Sequence, residues 1–161
     1  MELLSKKEAD SMRLYEREIT LKRRGCKPVT PKYVIVFEDP DDLDAPCKIQ
    51  VPTPEWIAYC LHGNFICSAE HFIRDKRFYA EWTKNNPNQQ FNWKDHGGNS
   101  ASYAETLPSM TQEEAMELLL QKDVPERVWN NTTSNALRYK ICRKEMIPSN
   151  RQYRNAWRLA A

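Results

Sequence analysis

Residues 32–56 read KYVIVFEDPDDLDAPCKIQVPTPEW, and the fold turns on whether this stretch makes a hairpin or a helix. Tyr33–Phe37 is a run of β-branched and aromatic side chains, which fit a pleated surface and crowd a helical turn. The acidic EDPDDLDAP segment behind it is turn chemistry: Pro40 and Pro46 break either periodicity, and aspartates bond their own backbone. Cys47–Val51 then returns as a second strand. Thr53, Pro54 and Glu55 open a short helix, with Thr53 as cap, Pro54 at the first helical position, and Trp56, Ile57 and Cys60 along it.

Outward from this hairpin, residues 5–25 (SKKEADSMRLYEREITLKRRG) predict one helix at about 6–24. Ser5 with Glu8 makes a capping box, and Gly25 supplies a left-handed end. Ala9, Met12, Tyr15 and Ile19 recur at helical spacing and mark its expected buried face. Thr111 with Glu114 caps a second helix at about 112–122, and residues 137–145 (LRYKICRKE) predict a third strand at 138–143 with Tyr139, Ile141 and Arg143 on one face. Between them, residues 68–86 predict a helix capped by Ser68, with Phe72, Phe78, Tyr79 and Trp82 available for burial. Residues 86–109 are rich in Asn, Gly and Ser and read as a long loop or a partly disordered insertion. The expected class is α+β: a small antiparallel sheet from 33–37, 47–51 and 138–143, flanking helices and a long polar central loop. As domains, this is a basic N-terminal helix at 1–32, then a small α+β domain at 33–161 with an insertion at about 60–110.

Composition narrows the class of activity. The 161 residues are 40% apolar, with four glycines against ten prolines, and the mean hydropathy is −0.78. No apolar run reaches the roughly 18 residues that a membrane helix needs, so no membrane association is expected. The N-terminus carries no apolar signal segment, and the five cysteines are odd in number and scattered. Free thiols in a reducing compartment are the expectation. Both ends are basic while residues 38–44 hold Glu38, Asp39, Asp41, Asp42 and Asp44, so the two signs are expected to satisfy each other within the fold.

Four residues have metal-ligand chemistry: Cys60, His62, Cys67 and His71. Thiolates and imidazoles suit a tetrahedral structural zinc site, but this spacing fits no common zinc module and places two ligands on one short segment. The expectation is therefore no metal and no cofactor. A G-x-S-x-G elbow is absent and four glycines build no phosphate loop, so no enzyme is indicated. The C-terminal stretch interleaves cations and rings, which could neutralise phosphates while stacking on bases. The structural reading is a clasp. Pro148 stops the strand, Asn150 turns the chain, and Tyr153 and Trp157 lie four apart on one helical face, leaving Arg151 and Arg154 outward.

Lys122, Asp123, Val124 and Pro125, then Tyr139–Cys142, then Pro148, Arg151, Tyr153, Arg154, Ala156 and Trp157 resemble the C-terminal half of small uncharacterised tailed-bacteriophage proteins. Their endings read Pro-x-x-Arg-x-aromatic-Arg-x-Ala-Trp, and Pro52, Pro54 and Glu55 are similar to the close of that family's opening hairpin. Asn150 stands where that family has Asp, and the N-terminal helix and the 60–110 segment are additions. The resemblance implies a non-enzymatic phage accessory or virion-associated protein acting through contacts with a viral structural or host protein. Arg151, Tyr153, Arg154 and Trp157 are then the candidate binding residues. The other functional expectation is a small nucleic-acid-binding regulator using the basic aromatic C-terminal face. A rival similarity joins residues 48–65 (KIQVPTPEWIAYCLHGNF) to the final strand and helix of a BRCT domain, without that domain's usual first strand and Gly-Gly turn.

Overall fold

β1 (Tyr33–Phe37) is the middle strand of a three-stranded antiparallel sheet, flanked by β2 (Lys48–Gln50) and β3 (Tyr139–Arg143). The computed structural model describes residues 2–130 and 137–147. Across the sheet, Ile35 lies opposite Gln50 on one side and Ile141 on the other, while Val34 faces Cys142. Val34 and Ile35 point to opposite faces of β1 and both are buried, as is Phe37, so both faces are covered, which explains an unbroken apolar run instead of alternation. The α+β architecture is the one the sequence predicts.

The acidic connection is built from aspartate turns. Asp39 accepts the Asp41 N–H at 2.9 Å and Asp42 accepts the Asp44 N–H at 3.0 Å. Charge neutralisation reaches it from the C-terminal side, where Arg138 Nε donates to Glu38 at 2.8 Å. Thr53 caps α3 (Pro54–His62) by accepting the Trp56 N–H at 3.1 Å.

The chain separates into two units, each assembled from two segments: residues 1–27 with 58–110, and 28–57 with 111–161. The second unit holds the sheet and α5 (Gln112–Asp123), whose Thr111–Glu114 capping box is formed. Helix α5 lies against β1 and buries Ala115, Met116, Leu118, Leu119 and Leu120. Its buried Gln112 receives the Lys32 N–H at 3.0 Å and donates to the Thr30 carbonyl at 3.3 Å, fixing the backbone that enters β1.

In the first unit, the expected single helix at 6–24 is two: α1 (Lys6–Asp10) and α2 (Leu14–Arg23). The break has a cause in Arg17. Its guanidinium takes the Ala9 and Met12 carbonyls, both at 2.8 Å, and so diverts acceptors that a continuous helix would use. Ser11 Oγ takes the Glu8 carbonyl at 2.7 Å, and Glu16 caps the new start by accepting the Arg13 N–H at 3.2 Å. The expected buried face also shifts: Tyr15 and Ile19 are half exposed, while Ala9, Arg17 and Leu21 are inside. The Ser5–Glu8 box and the left-handed Gly25 are where the sequence places them.

Helix α4 (Ala69–Asn85) begins at Ser68, but that side chain makes no capping bond. Residues 86–109 carry 3₁₀ turns at Trp93–His96 and Ser100–Ser102. Asp75 of α4 holds the second turn by accepting the Ser100 and Ala101 N–H groups at 3.0 and 2.9 Å. The proposed clasp residues Pro148, Arg151, Tyr153, Arg154 and Trp157 lie outside the described residues.

Candidate functional site

The first unit presents a groove of about 350 Å³. It is lined by Arg13 and Tyr15, at the start of α2, and by Trp93, Lys94, Gly97 and Gly98, from the first 3₁₀ turn and its exit. Asn99, Ser102 and Tyr103 complete the lining. Among the described residues no aspartate or glutamate lines it.

Local structure fixes each wall. Asn92 Oδ1 accepts the Lys94 N–H at 3.0 Å and starts the turn. Gly97 and Gly98 both have positive φ, and the Gly98 N–H closes the turn on the Trp93 carbonyl at 2.9 Å. A Cβ on Gly98 would come within 2.9 Å of the Tyr103 ring, so glycine here lets the ring sit on the backbone. The Arg13 guanidinium lies 5.1 Å from the Tyr103 ring centre. Asn99 Oδ1 accepts the Ser102 N–H at 3.1 Å, a bond that uses the acceptor of the Asn99 amide and neither of its donors.

Behind Trp93 stands an aromatic cluster that polar surroundings hide in the sequence. Phe91 is its hub, with ring centres 4.7 Å from Trp93, 4.9 Å from Tyr79, 5.3 Å from Trp82 and 5.0 Å from the stacked His96. Phe78 meets the same cluster 6.0 Å from Trp93. Offset and edge contacts at these separations are the favourable ones for rings. Of the aromatic residues expected to be buried on α4, Phe78 and Tyr79 keep 42% and 48% of their surface exposed.

The four candidate metal ligands are placed as follows. Cys60 is fully buried in α3 and His62 is its last residue. Cys67 precedes α4, donates to the Ala101 carbonyl at 3.4 Å, and has its thiol pushed up to about 11 by burial. His71 sits in the first turn of α4. Nε2 of His62 and Nδ1 of His71 are buried without a hydrogen-bond partner among the described residues. No three His, Cys, Asp or Glu side chains among the described residues are grouped to hold a metal ion. All five cysteines are thiols.

Arg138, Tyr139 and Arg143, from the described part of the basic C-terminal stretch, lie on or beside β3. Arg138 is paired with Glu38, and Arg143 lies 5.8 Å from the Tyr33 ring centre. Arg151, Tyr153, Arg154 and Trp157 are outside the described residues. Among the described residues no helix is long and apolar enough to cross a membrane. No protein-family model, curated protein or solved structure matches the chain.

Proposed function

We propose that the chain is a non-enzymatic bacteriophage accessory or virion-associated protein that works through contacts with a viral structural or host protein. The observation that carries the protein-contact reading is the outer face of α2. Tyr15 and Ile19, one helical turn apart, keep 56% and 51% of their surface exposed. Adjacent apolar and aromatic side chains held toward solvent on a regular element are what a partner buries on docking. The phage setting is supported by the resemblance of the hairpin and C-terminal motifs. The nucleic-acid reading of the C-terminal face has less support, since Arg138 and Arg143 already have intramolecular partners.

Mass spectrometry of purified particles from the encoding phage tests this. A fixed copy number per particle is expected, together with loss of incorporation for Ile19→Glu at an unchanged melting temperature. Absence from particles, with no effect of Ile19→Glu on infection, overturns it.

A further inference from the structure

We propose that the groove between α2 and the Trp93–Tyr103 segment is a binding site for a nucleoside phosphate, with the phosphate at Arg13 and Lys94 and the base against the rings. The inference goes beyond the protein-contact reading and does not rest on it. Four observations carry it.

The first is charge. Arg13 and Lys94 are exposed, neither has a carboxylate partner among the described residues, and no acidic side chain lines the groove. Two uncompensated cations facing one concavity attract an anion, and a guanidinium offers the fork that matches phosphate oxygens.

The second is ring surface. Tyr15, Trp93 and Tyr103 all contribute to the same groove, and Tyr15 and Tyr103 keep 56% and 50% of their surface exposed. A carboxylate or an inorganic phosphate has no use for three rings, whereas a nucleobase stacks on such faces.

The third is preorganisation. Trp93 is held from behind by Phe91 and Phe78, and Tyr103 is held by Arg13 and by the Gly98 backbone. Rings that are already fixed lose little freedom when a base stacks on them. The fourth is size: about 350 Å³ falls in the range of small-molecule sites and suits one nucleotide. The Asn99 amide adds a donor for a base edge or a phosphate oxygen.

The same chemistry comes from a free nucleotide or from one unit of a single strand, and calorimetry separates the two. The probes are uridine monophosphate, a ten-residue deoxythymidine oligomer, inorganic phosphate and a ten-residue glutamate peptide, each at two salt concentrations. The expected result is 1:1 saturable binding of the monophosphate or the oligomer, at least tenfold tighter than inorganic phosphate or the peptide. Comparable affinity for monophosphate and oligomer assigns the free nucleotide. A hundredfold preference for the oligomer, weakening steeply with salt, assigns the single strand. The double variant Arg13→Ala/Lys94→Ala and the single variant Tyr103→Ala should each weaken binding tenfold or more with a cooperative melt retained, because Arg13 and Lys94 are exposed and Tyr103 is half exposed. Gly98→Ala, which displaces Tyr103 without removing charge, should also weaken it. Overturning results are failure of both nucleotide probes to bind below millimolar concentration, equal binding of the glutamate peptide, or nucleotide binding that none of these variants changes.

Discussion

Arg17 is the residue on which the first unit is organised. It is fully buried, and among the described residues its hydrogen bonds go to carbonyls while Asp10 and Glu16 act on its charge only through space. Its guanidinium is satisfied by carbonyls: Ala9 in α1 and Met12 in the link to α2, Phe65 at 3.1 Å, and Ser102 and Ala104 at the longer distances of 3.4 and 3.5 Å. Burial pulls its pKa down, with the nearby Asp10 and Glu16 charges acting in the opposite direction. A guanidinium stays protonated over the accessible pH range, so the charge is held by peptide dipoles together with these carboxylates. Removing it takes a charged donor from five carbonyls, of which Ala9 still accepts the Met12 N–H and Phe65 is buried. Arg17→Met is expected to cost about 3 kcal/mol or more, each charged hydrogen bond being worth roughly 1.5–3 kcal/mol. Arg17→Lys should recover only a fraction, because an ammonium cannot reach carbonyls in several directions from one planar fork. Chemical denaturation of the three proteins measures this, and an Arg17→Met midpoint equal to wild type would show that the carbonyls find water instead. Nothing in the sequence marks this arginine among its neighbours. Arg13, Arg17, Lys22, Arg23 and Arg24 look alike on a helix face, and only the tertiary placement of the Phe65 and Ser102–Ala104 backbones singles out one of them.

At the scale of elements, the hairpin, α3 and α5 were legible because local chemistry and tertiary packing agree there: β-branched run, aspartate turn, Thr53 and Thr111 caps. Residues 86–109 were legible only in part. Averaged composition reads as polar loop, and the average conceals Phe91 and Trp93, which close on α4 to make a cluster of rings. The groove was missed for the same reason, since its walls are brought together across about eighty residues of sequence and share no spacing rule. This assigns Phe91 a specific role, as the hub that seats the loop on α4. Phe91→Ala is expected to destabilise by about 2–3 kcal/mol, somewhat below the usual cost for a fully buried ring because Phe91 is only partly buried. Hydrogen exchange should rise through residues 86–99 and the second half of α4, while β1 and α5 keep their protection. Uniform loss of protection across both units would show instead that the ring cluster supports the whole chain.

For the molecule as a whole, the testable consequence lies in acid stability, because carboxylates in both units are held below their ordinary range. In the first unit the Arg24 guanidinium beside Glu8, at 3.1 Å, lowers that carboxyl from 4.5 to about 2, with the Ser5 N–H assisting. Asp10 is raised by burial, but the Thr106 N–H and hydroxyl and the Lys6 ammonium outweigh this, and its pKa falls. In the second unit the Tyr33 hydroxyl, donating at 2.7 Å, lowers Glu113. Each folded-state value lies below the unfolded one, so the unfolded chain binds protons first as pH falls. The stabilisation is therefore present above the unfolded carboxylate range, near 4–4.5, and is lost progressively as pH drops through the folded values, near 2 for Glu8. Melting temperatures should be level from pH 7 to about 5 and decline steeply below about 4.5. Glu8→Gln should lower stability at pH 7 and flatten the decline, because the variant has no proton to take up at that position. The exposure of the Glu8–Arg24 pair predicts that molar salt narrows the gap between variant and wild type at pH 7. A wild-type profile that stays level to pH 2.5 would mean that these carboxylates titrate alike in both states, and the pairs seen at Glu8, Asp10 and Glu113 would then hold geometry without contributing stability.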